Sequence, residues 1–460
     1  MNSSTRAAEG NPDLTAFVAA ESERLRVPGA AVGVLHGDLV HMAAHGVTDR
    51  LHPRPIDADT LFLIGSTTKT FTATTMMTLV QEGALSLDDR VIDHLPELEL
   101  SDASARASVT VGQLFDHTAG WRGDIEADTG WGDDALSRAL PEVAAHVPQI
   151  FAPGWTASYN NLSLILAGRL IERVAGTAYE ALVRTRLLEP LGMTNTFFLP
   201  WEVATRPLAA GHVVTDDAPE PTYVWPMSRA MGPAGGAVSS LRDQLRYAAF
   251  HLDGTAPGTP PLRDDLRLGM QQSRVSLPAA LSGVGVSWLL NDRDGLGLVS
   301  HGGNCSNLYV SSFVLAPAER FAVTVLTNSR GGSALGGRVL DWALEHYLGR
   351  GGAAAPAPLA LTPELEREYV GRYDAGQWDQ EITAVGGRLF TQMCLTDVPA
   401  DTPEAVLAAF RQPPTELVIT ARDVVAPATA PQHSAGDFVR GPDGKVAFLR
   451  YGMRLARRRS

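Results

Sequence analysis

Lysine is nearly absent from this chain. Of 38 basic residues only Lys69 and Lys445 are lysines, the remainder being arginine. Cysteine is almost as scarce. Two residues, Cys305 and Cys394, exclude a disulfide framework, and nothing around them has zinc-site spacing, so both are read as reduced, packed thiols. No apolar run approaches the length of a membrane span; residues 61–64 and 313–316 are typical. Positive charge is in deficit, with a net charge of −13, which excludes a generally basic nucleic-acid binder. Walker loops, HExxH, GxSxG and internal repeats are all missing. With 45% hydrophobic and 19% charged residues, the 460-residue chain has the composition of a folded protein of two or three domains.

The scarcity of lysine carries chemical information. Most surface positions accept either cation, so a lysine retained in an arginine-rich chain is a candidate for a task that requires losing a proton. Lys445 lies in Gly-Pro-Asp-Gly-Lys, a hairpin turn where a solvated lysine is ordinary. Lys69 has no such explanation. The first residues, Met-Asn-Ser-Ser-Thr-Arg, carry one basic residue and no apolar segment. They do not resemble a signal peptide, so a cytoplasmic location is expected.

Along the chain, apolar residues Leu14, Phe17, Val18 and Leu25 recur at helical spacing. Residues 30–35 and 39–44 then alternate as strands around His36-Gly37-Asp38. A mostly helical middle includes helices over 66–83, 161–174 and 240–252, the last opening close to a capping box at Ser240. Strands return at 309–315 and 321–328, and a helix over 335–348 follows. Strands from both ends of a segment with helices between them predict an α+β fold, an antiparallel sheet with a helical insert. Residues 350–360 form a linker by composition, separating a domain over 1–349 from one over 361–460. The latter holds six short strand candidates, at 369–373, 380–385, 388–391, 416–420, 437–440 and 446–451, and is expected to be a small all-β barrel.

Three motifs carry chemistry. Gly65-Ser66-Thr-Thr-Lys69 opens a helix, so Ser66 and Lys69 share one face a turn apart. There the helix dipole and free N–H groups favour an oxyanion, and a neutral lysine can take the serine proton. Ser158-Tyr159-Asn160-Asn161 can project a phenol and an amide from one loop into a shared cleft, although Asn161 could equally cap the next helix. Ser300-His301-Gly302-Gly303-Asn304 sets glycines in or beside an edge strand, where a substrate backbone can approach, and the Asn304 N–H can serve as a second oxyanion donor. A lone histidine such as His301 is by itself commonly structural.

In this order, Ser66-Thr-Thr-Lys69, Tyr159-Asn-Asn161 and His301-Gly-Gly303 resemble the class C-like branch of the serine β-lactamase and penicillin-binding-protein family. Leu114-Phe-Asp-His117-Thr118-Ala-Gly120, Leu187-Leu-Glu-Pro-Leu-Gly192-Met193 and Gly235-Gly236-Ala-Val-Ser239-Ser240 extend the resemblance over roughly residues 12 to 349. Tyr369-Val-Gly371-Arg-Tyr373 is similar to the opening of the lipocalin-like domain appended to some members. The resemblance implies an acyl-enzyme mechanism needing neither metal nor cofactor. Ser66 would be the nucleophile, Lys69 its base, and Tyr159 the proton carrier assisted by Asn161. His301, Gly303 and Asn304 would form the cleft wall and oxyanion hole.

Where β-lactamases of this branch carry a lysine in the third motif, this chain has His301, fractionally charged near neutral pH, so recognition of a free carboxylate is expected to weaken. With the expected cytoplasmic location, this disfavours β-lactam and cell-wall substrates. The resemblance leaves a thioesterase of the penicillin-binding-protein type, which releases and macrocyclises a carrier-bound peptide with a D-residue at its acyl end. Its alternatives are an esterase, a D-stereospecific peptidase and, more distantly, a binding module without turnover. The expected partners are a peptide or ester substrate delivered by a peptidyl carrier protein, with neither nucleic acid nor membrane. Arg440, Arg450 and Arg454 could meet a peptide carbonyl or carboxylate but are read as solvated surface arginines. Arg457, Arg458 and Arg459 read as an exposed tail, and Trp121, Trp131 and Trp225 as acyl-pocket or packing residues.

Overall fold

The computed structural model describes residues 8–123, 125, 127–214, 218–278, 281–351, 356–376, 378–395, 413–430 and 436–459. Four residues of the expected linker, 352–355, lie outside this set.

A nine-stranded sheet spans the first part of the chain among the described residues. Its order is Ala8–Gly10, Leu39–Gly46, Gly29–His36, Phe321–Thr327, Tyr309–Ala316, Leu296–Cys305, Leu289–Arg293, Gly283–Val284 and Val275–Ser276. Every pairing is antiparallel except that of Ala8–Gly10 with Leu39–Gly46. The expected insert is there: all the helices between residues 65 and 270 leave and return to this sheet.

Side-chain alternation divides the sheet's faces. Ala30, Val32, Val34, Val323 and Val325 pack with Leu14 and Val18 of helix Pro12–Arg24 and with Leu335 and Val339 of helix Gly332–Leu348. The Asn11 side chain caps the first of these helices by accepting from the Asp13 and Leu14 N–H groups. The opposite face, through Ala31, Leu35 and Phe313, buries helix Leu241–Asp253 and the central helix Thr68–Gln81. That central helix is buried almost all round although it is rich in threonine. Most of its hydroxyls are satisfied at short range: Thr70 and Thr74 donate to the carbonyls of Thr67 and Thr70 at 2.8 Å, and Thr72 donates to Pro233 O at 2.7 Å. Thr75 Oγ1 is buried without a partner among the described residues. A polar composition therefore forms a core helix.

Among the described residues from Gly371 to Arg458 the chain closes an eight-stranded antiparallel barrel, sealed by pairing of Tyr373 with Arg458. Tyr369, Tyr373, Ile382, Leu449 and Phe438 fill it, with the Tyr369 and Phe438 rings stacked at 4.1 Å. Strands Val424–Pro427 and Arg454–Arg458 are additional to the six expected from sequence. The supposed arginine tail is this last strand: Arg458 donates to Val370 O at 2.7 Å, and Arg459 pairs with Asp379 at 2.9 Å.

Candidate active site

Strand Leu61–Leu63 delivers the chain into a short 3₁₀ turn, Gly65–Thr67, ahead of the central helix, and Ser66 sits at that junction. Gly65 adopts φ +51°, and a Cβ on it would stand 2.8 Å from the Asn304 nitrogen. Glycine therefore serves both the turn and the close approach of strand Leu296–Cys305. Gly303 packs tighter still, since its Cβ would meet Ile64 O at 1.9 Å. The Ser311 hydroxyl donates to Ile64 O at 2.6 Å and lies 2.8 Å from Thr67 Oγ1, fastening the turn to the neighbouring strand. This serine carries no signal in the sequence, where it looks like one more polar residue of a strand.

Lys69 is fully buried, and its Nζ lies 3.0 Å from Ser66 Oγ, 2.8 Å from Asn161 Oδ1 and 2.6 Å from Ala234 O. Two of these partners can only accept, whereas a serine hydroxyl can also donate. In its charged form the amine donates to all three, and on losing a proton it can keep both carbonyl contacts while turning its lone pair to Ser66. Asn161 opens helix Leu162–Ala175 without a side-chain capping bond; its neighbour Asn160 accepts from Ser163 N at 2.8 Å instead. The capping alternative for Asn161 is thereby replaced by contact with the lysine. Ala234 was not foreseen, because a backbone carbonyl leaves no side-chain signal.

Tyr159 is nearly buried, with Lys69 Nζ and the Arg454 guanidinium each 4.9 Å from its ring centroid. His117 packs on the same ring at 4.6 Å and His301 at 6.1 Å. Strand Leu296–Cys305 pairs with Leu289–Arg293 over 296–300, whereas 301–305 pair only with Tyr309–Ala316, so the glycines of the third motif lie on a stretch laddered on one side. The motif departs from expectation at its histidine. His301 is not fractionally charged. Burial, and then the charge of Lys69, pushes its pKa down to about 3, so it is neutral near pH 7. His301 Nδ1–H donates to Gly302 O at 2.7 Å. Burial likewise drives His117 well below the usual histidine range.

Ser66, Asn161 and Asn304 open onto a cavity of about 960 Å³ whose walls come from both halves of the chain. Ile125, Met227, Met231 and Ala234 line one side; Gln380, Met393, Tyr451 and Arg454 of the barrel line the other. His301 lies behind this wall, only 2% exposed. None of the three tryptophans borders this cavity. Trp121 is buried and bonded to Asn160, Trp131 packs edge-on to Trp201, and Trp225 lines a separate small crevice. The three arginines are not solvated surface groups either. Arg440 pairs with Asp423 and Glu368, Arg450 is buried against Asp437, and Arg454 reaches the cavity. Burial raises the Cys305 thiol to about 12, whereas Cys394 is half-exposed. Among the described residues no cluster is suited to a metal, and no helix is long and apolar enough to cross a membrane.

A Ser-x-x-Lys pair between a helix start and an antiparallel sheet, faced by a tyrosine loop, defines the fold of the penicillin-binding-protein-type serine hydrolases. The Beta-lactamase family model matches residues 14–346, and the chain belongs to that family. Penicillin-binding protein 4 of Amycolatopsis lactamdurans is 37% identical over 313 residues, 66% of this chain and 81% of the relative. The crystal structure of SurE superposes with a TM-score of 0.75 at 26% identity, covering 97% of this chain and 98% of that one, and SurE has also been solved with D-Leu. A class C β-lactamase from Rhodobacter sphaeroides, 24% identical with a TM-score of 0.58, matches 72% of this chain and 98% of its own.

Proposed function

We propose that this protein is a serine acyltransferase that releases and cyclises a peptide from a carrier-bound thioester. The observation that carries the reading is the roofed cavity. A nucleophilic serine at the base of about 960 Å³, walled by a second domain, suits a chain of several residues better than a small ester. The likeness to SurE along nearly the whole chain, and SurE's binding of D-Leu, support a D-residue at the acyl end. Ile125, Met227 and Met231 suit an aliphatic side chain there.

In this scheme Ser66 Oγ attacks the thioester carbonyl as its proton passes to the Lys69–Tyr159 pair. The N–H groups of Ser66 and Asn304 receive the oxyanion. Tyr159 returns the proton to the departing thiolate, leaving a seryl ester. The peptide's own amine then attacks this ester, gives a proton to Tyr159, and Ser66 is restored as the amide forms. Asn161 holds Lys69. Neutral His301 withholds the fixed cation that a lysine would supply for a carboxylate, which agrees with a thioester rather than a β-lactam substrate. Delivery by a peptidyl carrier protein makes the reaction cytoplasmic.

The test is product mass analysis with a peptidyl thioester that ends in an aliphatic D-residue and bears a free amine, alongside Ser66→Ala. A cyclic product lost in the variant is expected. Serine-dependent linear acid alone would reassign the protein as a hydrolase, and cyclisation persisting in Ser66→Ala would remove Ser66 from the chemistry.

A further inference from the structure

The loop bearing Tyr159 is held by chain from the far end of the sequence. Residues 156–160 belong to no helix or strand, so their conformation depends on what surrounds them. On one flank Ser158 N–H donates to His117 O at 2.9 Å. Asn160 exchanges hydrogen bonds with Trp121, Nε1–H to Oδ1 at 3.3 Å and Nδ2–H to Trp121 O at 2.8 Å. Residues 156–159 are further held by the barrel hairpin formed by Val446–Tyr451 and Arg454–Arg458. Tyr159 N–H donates to Met453 O at 2.7 Å, and Ser158 Oγ accepts from Leu455 N at 3.1 Å. Arg450 Nη1 donates to Thr156 Oγ1 at 2.9 Å and to Ala157 O at 3.1 Å. The other edge of that guanidinium is fixed by Asp437, Nε to Oδ1 at 2.8 Å and Nη2 to Oδ2 at 2.6 Å. Both side chains of the pair are 4% exposed.

A buried ion pair is a poor way to stabilise a barrel, because desolvating two charges offsets most of their attraction and an apolar pair does as well. It does supply direction. A guanidinium locked bidentately on one edge presents its remaining N–H groups at a fixed angle, here outward into the other domain. We propose that the Arg450–Asp437 pair is a positioning device for Tyr159. It acts through residues 156–158 to set the phenol beside Lys69, so the catalytic loop takes its working shape only with the barrel in place. This rests on Tyr159 being the proton carrier of the proposed reaction.

Displacement of a reacting group by about 1 Å can cost on the order of 10²-fold in rate. Arg450→Met in the full chain is therefore expected to lower kcat on an activated ester and on a peptidyl thioester by roughly ten- to a hundredfold, with KM little moved. Thr156→Val, which leaves the ion pair whole, should give a smaller loss of the same kind. The deciding comparison is a double-mutant cycle with Tyr159→Phe. If Arg450 acts through the phenol, either substitution loses most of its effect once the hydroxyl is gone. Equal factors with and without the hydroxyl would overturn the proposal, as would wild-type kcat in folded Arg450→Met. Should Arg450→Met fail to fold, the cycle with Thr156→Val decides by the same criteria. Wild-type turnover in Tyr159→Phe alone would instead discard the tyrosine's role, and the device with it.

Discussion

Lys69 and the histidines around Tyr159 show how environment assigns work to a side chain. Lys69 is the one lysine of this chain away from a turn, and it is enclosed by Ser66, Asn161 and Ala234 O. Arginine, the ordinary cation here, cannot release its proton. Lys69→Arg is expected to fold and to lose roughly 10²- to 10⁴-fold in acylation rate, read from the burst with an activated ester. Acylation within a few-fold of wild type would show that Lys69 supplies charge alone. His301 leads to a prediction about stability. Its folded pKa of about 3 lies below the unfolded value near 6.5, so the unfolded chain takes up the proton first as pH falls. Nothing is lost above about pH 6.5. Below it, stability declines by up to about 1.4 kcal/mol per pH unit for each such histidine, down to about pH 3 for His301. His117 and His251, also depressed by burial, act in the same direction. The thermal midpoint should therefore fall between pH 6.5 and 4.5, and should fall less in a folded His301→Asn variant. An unchanged midpoint would mean that these rings are charged in the native state.

At the scale of elements, close backbone approach holds the site together. Strand Leu296–Cys305 can lie against the serine turn because Gly303 has no side chain, and a Cβ there would press on Ile64 O. Gly303→Ala should force the strand and turn apart, costing about 1–3 kcal/mol of stability and most of the activity. A variant with wild-type melting and turnover would show that the two elements need not touch. These elements were largely legible in the sequence. Periodicity marked the central helix and the strands, and Ser66, Lys69, Tyr159 and Asn161 all meet in one place. The failures have physical causes. Strand Leu289–Arg293, which pairs with the first half of the His301 strand, carries no strand signal because it is half-exposed and ends in the charged Asn-Asp-Arg. Strand Arg454–Arg458 is written Arg-Leu-Ala-Arg-Arg, and its arginines suggested a solvated tail. The partners of Arg458 and of the following Arg459, Val370 O and Asp379, lie far off in sequence, and pairing at that distance leaves no local pattern.

For the molecule as a whole, the question is whether the barrel is an attachment or a working part. The two domains share apolar contacts as well as the polar ones around Arg450. Phe448 packs with Trp155 at 5.5 Å, and Trp155 with Phe151 at 5.8 Å. Phe151, Phe448 and Leu455 form one small buried cluster, while Met453 joins Ala157 and Val284 in another. The first cluster takes residues from both domains and is complete only while they are docked, whereas the second is built by the first domain and covered by Met453. Docked domains with such contacts should melt together, and calorimetry of the full chain is expected to show a single transition. Phe448→Ala removes the central ring of the shared cluster at a cost of about 3–5 kcal/mol. Its loss should split the melt into two and lower kcat, because the hairpin that holds Tyr159 would no longer be seated. Two transitions already present in the wild type, with activity lost at the higher one, would make the barrel an attachment. Activity lost at the lower one, on barrel release, would make it part of the active site.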